Sequence, residues 1–525
     1  MSQAGRPVRC LGWWERLGAG ARRWLHGQVR SAWVIDLRAL ALMRIGLGLL
    51  VAHDAGARYA DAATLYSDAG FWTRADAGMP IAPFRLFFWS GDPTAIRGAL
   101  VGLGVLALLW GAGVGTRAVT VLLWMALTSL HARHGGVLQG GDDVLRNALF
   151  LSMFLPVGAR WSVDAWWRHR PRPGHGAVPL PTCIRGPAAI ALYGQLTLIY
   201  VVAGVLKAHH VHWWRGEGIH YALAADHFVL PLGRALHPYV TPLRAVGVAT
   251  LLLELLGPLV LVLGPATARV RGVLIIAFAA LHLGIGATLR IGLFTPVCLA
   301  LWCFVWPTAW MRWLEARIPG RAARDRVGPV AIAAGSGPVT GALAMATLVL
   351  LVVSLAAREW VGPPSVRAYL MTPARTLRLQ DRWSLFSGPR KHSGWWAAPA
   401  RRRDGTEVDL LRGEGTPLSW ARPEAPLARY PNQRWRKLLV TMRKKRGARF
   451  LQAFLRWSCQ RGTFDRVAYA YVRHAIAPPN RPPKAWFGRE EVVTVARRRC
   501  RPLAGRRPGS SGPSTRGRAH TRVGR

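Results

Sequence analysis

Membrane-length apolar segments run through the first two thirds of this chain, separated by short polar loops. They predict helices near residues 37–57, 94–113, 116–133, 142–160, 187–207, 240–264, 268–289, 292–314 and 338–357. Each is close to the ~20 residues that a helix needs to cross a bilayer. The fold class expected from this pattern is an all-α polytopic membrane bundle of about nine transmembrane helices. The first segment is the least hydrophobic, because Arg44, His53 and Asp54 lie within it or at its end. Such groups must face other helices or water rather than lipid.

Beyond about Arg358 the apolar blocks stop. Residues 358–475 mix Trp-rich and basic segments, and short alternating pieces such as Thr406-Glu407-Val408-Asp409-Leu410 fit strands. A basic amphipathic stretch from Trp435 to Trp457 suits a helix lying on a membrane surface. From Arg497 onward Arg, Gly, Ser and Pro dominate, a composition expected to stay disordered. Four regions result: a basic N-terminal segment (1–35), a transmembrane domain (36–357), a smaller basic extramembrane region of mixed structure (358–496), and an Arg-rich tail (497–525).

Charge orients these pieces. Arginines crowd the N-terminal segment and the loops after the fourth, sixth and eighth segments, which are alternate loops. By the positive-inside rule the N-terminus is expected in the cytoplasm, and nine spans leave the C-terminal region outside. The formal net charge of +45 also suits a nucleic-acid binder. However, the basic residues lie between apolar spans and in the last third, and no zinc-finger or RNP-like motif accompanies them. Anionic lipid headgroups are the simpler partner, and no nucleic acid is expected. The 6 cysteines are scattered and include no CxxC pair, so no disulfide framework or thiolate metal site is read from them.

Four constellations could carry chemistry. Lys207 ends the fifth segment and is followed by His209, His210, His212, Trp213, Trp214, Arg215, Glu217, His220 and Tyr221. A lysine there is either an interfacial anchor or a working amine whose ammonium form is disfavoured by a water-poor site. The histidines His209, His210, His212, His220 and His227 match no metal spacing, and no metal is expected. Gly140-Gly141-Asp142-Asp143-Val144-Leu145-Arg146 places acids at a helix start, where they cap it and pair with Arg146; a substrate contact is the functional alternative. Glu254 and His282 are polar residues inside apolar spans, either functional or a pair that joins helices.

These stretches together resemble the HTTM (horizontally transferred transmembrane) proteins, the bacterial relatives of vitamin K-dependent gamma-glutamyl carboxylase. The resemblance rests on ALMRIGLGLL, LYSDAG, GGDDVLR, LPVGARWSVDA, YVVAGVLKAHHVHW, LLLELLGPL and LHLGIGATLRIGLF, in that order, with RWSLFSGPRKHSGWW after the last span. It implies that Lys207, in its AGVLK context, deprotonates a reduced naphthoquinone of the vitamin K or menaquinol type. The quinol then reacts with oxygen to give a base strong enough to remove a glutamate gamma proton, and carbon dioxide adds to the carbanion. His282 stands where the family has a histidine. Asp142, Asp143, Arg146, His212 and Trp213 are the candidate substrate-binding residues, with a peptide or small molecule as the carboxyl acceptor. The large lumenal region that docks a propeptide in the animal enzymes is replaced here by a shorter, basic sequence. The alternative reading is a non-catalytic or carrier-type membrane protein on the same scaffold.

Overall fold

The computed structural model describes residues 33–168, 182–264, 267–317, 332–334, 337–359, 362–379, 383–384, 386–461 and 464–500. Its helical part runs α1 (Leu37–Tyr59), α2 (Pro93–Ala112), α3 (Thr116–Arg133), α4 (Gly140–Ser152), α5 (Pro187–Ala208), α6 (Val240–Leu263), α7 (Ala268–Thr288), α8 (Phe294–Trp302), α9 (Thr308–Glu315) and α10 (Pro338–Glu359). Among the described residues 6 helices are long and apolar enough to cross a membrane: α1, α2, α5, α6, α7 and α10. The protein is therefore a multi-pass membrane protein, and the count of nine spans is not confirmed.

The three differences have local causes. α4 has 13 residues, which at ~1.5 Å per residue gives about 20 Å, short of a ~30 Å hydrocarbon core. α3 has 18 residues but carries Arg117, His131 and Arg133, which make it too polar to count as a span by composition. The segment expected at 292–314 bends by 98° between Val305 and Thr308. Pro307 lies at that break, and proline disfavours helical backbone in the residue before it.

Capping defines several helix starts. The Asp36 side chain accepts the Arg38 backbone N–H at the start of α1, and Asp92 accepts the Ala95 N–H at the start of α2. The α2 C-terminus closes on Gly113 in the left-handed region (φ 82°), where glycine carries no steric penalty. Arg44 is fully buried and donates to the carbonyls of Gly111 (3.3 Å), Val157 (2.6 Å), Arg160 (3.3 Å) and Trp161 (2.5 Å). It joins α1 to the ends of its neighbours, as a cation inside a bundle must. Asp54 likewise points inward, whereas His53 is exposed.

The C-terminal region opens with a helix, Pro364–Thr376, and continues as a five-stranded antiparallel sheet with two further helices. The strands are β1 (His392–Ala397), β2 (Pro399–Arg402), β3 (Glu407–Asp409), β4 (Phe464–Ala475) and β5 (Glu491–Arg499). β4 pairs with β1 and β2 along one edge and with β5 along the other, and β3 extends β2. The stretch expected to lie on a membrane surface forms α11 (Gln433–Met442) and α12 (Ala448–Gln460). Their apolar faces, with Trp435, Leu438, Leu439, Phe450, Phe454 and Leu455, are buried in the protein core instead. Their amphipathicity serves a protein interface. Contrary to the cysteine reading, Cys459 and Cys500 form a disulfide across a separation of 41 residues. Sequence spacing did not show it because only the packing of α12 against the sheet brings the two together. Arg497, Arg498 and Arg499, expected in a disordered tail, belong to β5. Residues 501–525 of that tail and residues 1–32 lie outside the described residues.

The C-terminal domain sits on the end of the bundle where α1 and α5 finish. Asn432 Nδ2 donates to Asp61 (2.5 Å), Trp435 Nε1 to Asp61 (3.0 Å), and Trp457 Nε1 to the Ala69 carbonyl (3.2 Å). The opposite end carries the start of α1, where Arg38 bridges Asp36 (2.7 Å) and Glu315 (2.5 Å).

Candidate active site

Lys207 lies in the last turn of α5 and is buried. Its ammonium nitrogen is 2.5 Å from Glu254 Oε2 on α6. Gly204, one turn earlier, lets the two helices approach: a Cβ there would stand 3.0 Å from the Leu255 side chain. Glu254 is thus the partner of Lys207, not of His282. Removing either member of a buried ion pair typically costs about 3–5 kcal/mol, because the survivor is left uncompensated.

The amine also lies 5.3 Å from the ring centroid of Trp213, a cation–π distance. Trp213 is fixed from the far side, since its Nε1–H is shared by the carbonyls of Phe386 (3.0 Å) and Ser387 (3.1 Å) in the C-terminal region. His212 is buried beside it, with Nε2 unpartnered. Burial, reinforced by His210, pushes the His212 imidazolium down to about 4, so the ring is neutral at physiological pH. His209 and His210 are exposed. The ring centroids of His210 and His212 stand 5.6 Å apart. His220 contacts His237 (3.0 Å) and donates Nε2–H to the Ala477 carbonyl (3.0 Å).

Two turns deeper on the same helix, about 10 Å along its axis, Tyr200 meets His282. The phenol oxygen is 2.7 Å from His282 Nε2 and accepts the Trp302 Nε1–H at 2.8 Å. A phenol that accepts from Trp302 is best satisfied by donating its own proton to Nε2. This leaves the buried His282 Nδ1 as an N–H without a partner. Lys207 and His282 therefore sit at two levels beside one helix, joined by α5 rather than by direct contact.

Asp142, Asp143 and Arg146 belong to a different cluster. Asp142 closes a capping box by accepting the Gln139 N–H (2.7 Å). It also accepts from Arg58 (3.1 Å) and from Arg434 of α11 (3.2 Å), while Asp54 binds Arg58 (2.7 Å) and Arg434. Asp143 pairs with Arg146 at 2.6 Å, the helical pairing anticipated from the sequence. Arg146 also donates to the Arg378 carbonyl (2.5 Å) and to His131 Nδ1 (3.0 Å). Asp54, His131 and Asp142 have metal-compatible donor atoms within 4.8 Å of one another. Both carboxylates already hold guanidinium groups, and Arg146 occupies His131 Nδ1, so these donors serve an ion-pair network. Among the described residues no hydrogen bond or ion pair links this network to Lys207 or Glu254.

A bundle of apolar helices with buried ion pairs defines an integral, multi-pass membrane protein. The HTTM domain family model matches residues 147–310, so the chain carries this domain, which is found in vitamin K-dependent carboxylase-like proteins. The matched span contains Lys207, Trp213, Glu254 and His282. No curated protein and no solved structure matches the chain.

Sequence reasoning singled out Lys207, Glu254, His282, His212 and Trp213 but paired them differently. It missed Tyr200 and Arg434 altogether. Tyr200 stands at i−7 from Lys207, on the same helix face, which was the available signal. Arg434 lies 292 residues from Asp142 and had none.

Proposed function

We propose that the protein is a carboxylase-like membrane enzyme in which Lys207 is the base, acting with a reduced naphthoquinone, O2 and CO2 on a glutamate-like acceptor. The observation that carries this reading is the buried Lys207–Glu254 pair at the end of α5, covered by Trp213, which is in turn held by the C-terminal region. An ammonium group cannot take a proton. Glu254 Oε2, 2.5 Å away, is placed to receive one from Nζ, leaving a neutral amine that can accept the next. When bound, the quinol supplies the hydroxyl to be deprotonated and, with oxygen, the strong base that carboxylation of a carbon acid demands. The residues present fit such a group: an apolar face on α5, the Trp213 ring, and an unpartnered His282 N–H deeper in the bundle.

The disulfide Cys459–Cys500 supports an outside, oxidising location for the C-terminal domain. The opposite end of α1 would then be cytoplasmic, as the loop charges suggest. The same Lys207–Glu254 pair would also serve a non-catalytic or carrier-type scaffold as a helix crosslink, and one assay separates the two. Quinol-dependent oxygen uptake and quinone epoxide are measured with purified protein in lipid. Wild type should turn over, and both Lys207→Ala and Glu254→Gln should lose about 10²-fold or more, the usual scale of acid–base catalysis. Unchanged epoxide formation in Lys207→Ala would sink the proposal.

A further inference from the structure

Arg436, on α11, is 2% exposed, and its Nε and Nη1 atoms have no hydrogen-bond partner. Its guanidinium lies over the Phe228 ring, 4.2 Å from the centroid. Arg390 approaches the same ring, 5.1 Å from its centroid, and its buried Nε is also unpartnered. Next to them His227 is buried, with its Nε2 3.5 Å from Arg390 Nη1. A guanidinium can only donate, so Nε2 is the accepting nitrogen and Nδ1 carries the proton. That N–H is buried and unpartnered as well.

Three neighbouring groups thus offer buried donors and no acceptor. Among the described residues no carboxylate bears on them. Their charged and polar neighbours are one another, Arg290, Arg443, Tyr430 and Tyr471. Asp226, adjacent in sequence, is committed elsewhere, to Arg422 (2.8 Å), His474 (3.1 Å) and Ser393 (3.1 Å). Burial, together with Arg390 and Arg290, drives Arg436 down to about 9, the direction expected of a buried guanidinium without a carboxylate partner. Cation–π contact with Phe228 is too weak to offset the desolvation of a buried guanidinium. Among the described residues the other buried arginines of the extramembrane region, Arg434 and Arg429, both pair with carboxylates. Unmet, donor-only and cationic, the site is complementary to an anion.

Its place in the fold narrows the ligand. Phe386 has its ring 5.5 Å from Phe228 and 5.9 Å from the Arg390 guanidinium. The Phe386 carbonyl accepts the Trp213 indole N–H, and Trp213 covers Lys207. The donors are therefore one side chain beyond the roof of the amine. We infer that Arg436, Arg390 and His227 form a carboxylate-binding site that holds the acceptor substrate by a carboxylate remote from its reacting carbon. The assignment of that ligand as acceptor rests on Lys207 being the reacting centre; the anion site itself does not.

The test uses the full-length protein in lipid nanodiscs, without quinol, and isothermal titration with glutarate. Glutaramide, which has the same shape but no charge, and inorganic phosphate are the comparators. Glutarate is expected to bind wild type, glutaramide not at all, and phosphate at least tenfold more weakly. Arg436→Gln and, separately, the half-buried Arg390→Gln should each weaken glutarate at least tenfold. Arg436→Gln should also leave the ligand-free protein as stable as wild type or more so, because it removes an unpaired buried charge. No glutarate binding, phosphate binding as tight as glutarate, or affinity unchanged in both variants would overturn the site. Glutarate binding without epoxide formation would leave this site standing and remove only the role of Lys207. Epoxide formation without glutarate binding would do the reverse.

Discussion

Replacing Arg434 by Met would remove one cation from a buried cluster whose charges now cancel. Arg58 and Arg434 face Asp54 and Asp142, so the cluster is neutral as built. Met keeps much of the side-chain volume, so the change isolates the charge. Arg434→Met leaves two carboxylates sharing one guanidinium in a site where Asp54, Arg58 and Asp142 are each no more than 3% exposed. Breaking a buried pair from one side costs about 3–5 kcal/mol. The loss falls on the junction between α1, α4 and α11, so the C-terminal domain should loosen from the bundle before the bundle itself unfolds. Adding Asp54→Asn restores neutrality. The double variant should recover more than half of the loss, a coupling of about 2 kcal/mol between neighbouring sites. Thermal unfolding in nanodiscs gives the stability change, and limited proteolysis of the C-terminal domain shows where it occurs. If Arg434→Met costs under about 1 kcal/mol, or Asp54→Asn adds to the damage rather than relieving it, the reasoning is wrong.

Two further expectations concern His237, which packs on Trp486, and the disulfide inside the C-terminal domain. Burial, with His220 alongside, lowers His237 from 6.5 to about 4. Its neutral form is thus built into the fold: its contribution to stability is complete above pH 6.5 and is lost as pH falls from 6.5 towards 4. At ~1.4 kcal/mol per unit this amounts to at most about 3 kcal/mol. Unfolding temperature against pH for wild type and His237→Gln should diverge in that window, and parallel curves would count against it. Removing the disulfide with Cys459→Ser and Cys500→Ser releases a loop of 41 residues, worth about 4 kcal/mol on the loop-entropy scale. Denaturant midpoints in oxidising buffer should fall accordingly, and dithiothreitol should destabilise wild type but not the double variant.

Most of the bundle could be read along the chain, because crossing a bilayer imposes a length and an apolar composition on each helix separately. The segments at 37–57, 94–113, 187–207, 240–264, 268–289 and 338–357 all correspond to span-length helices. Where the apolar pattern covered a helix shorter than a span, as in α4, or one that carries charges, as in α3, it did not correspond to a span-length apolar helix. Individual reactive candidates were visible too, since Lys207, Glu254 and His282 are costly in apolar surroundings and so stand out one at a time.

The sequence alone therefore determined that the chain is a membrane bundle, which family its ordered motifs resemble, and which polar residues are out of place in lipid. Tertiary structure decided the partnerships. Lys207 meets Glu254 across 47 residues, His282 meets Tyr200 across 82, and Asp142 meets Arg434 across 292. It also turned a stretch suited to a membrane surface into the α11–α12 pair that carries Arg434 and Arg436 into the junction. Solvation is a property of one side chain and its neighbours in sequence, so it leaves a local trace. Ion pairing depends on which helices pack together, and no local pattern records that.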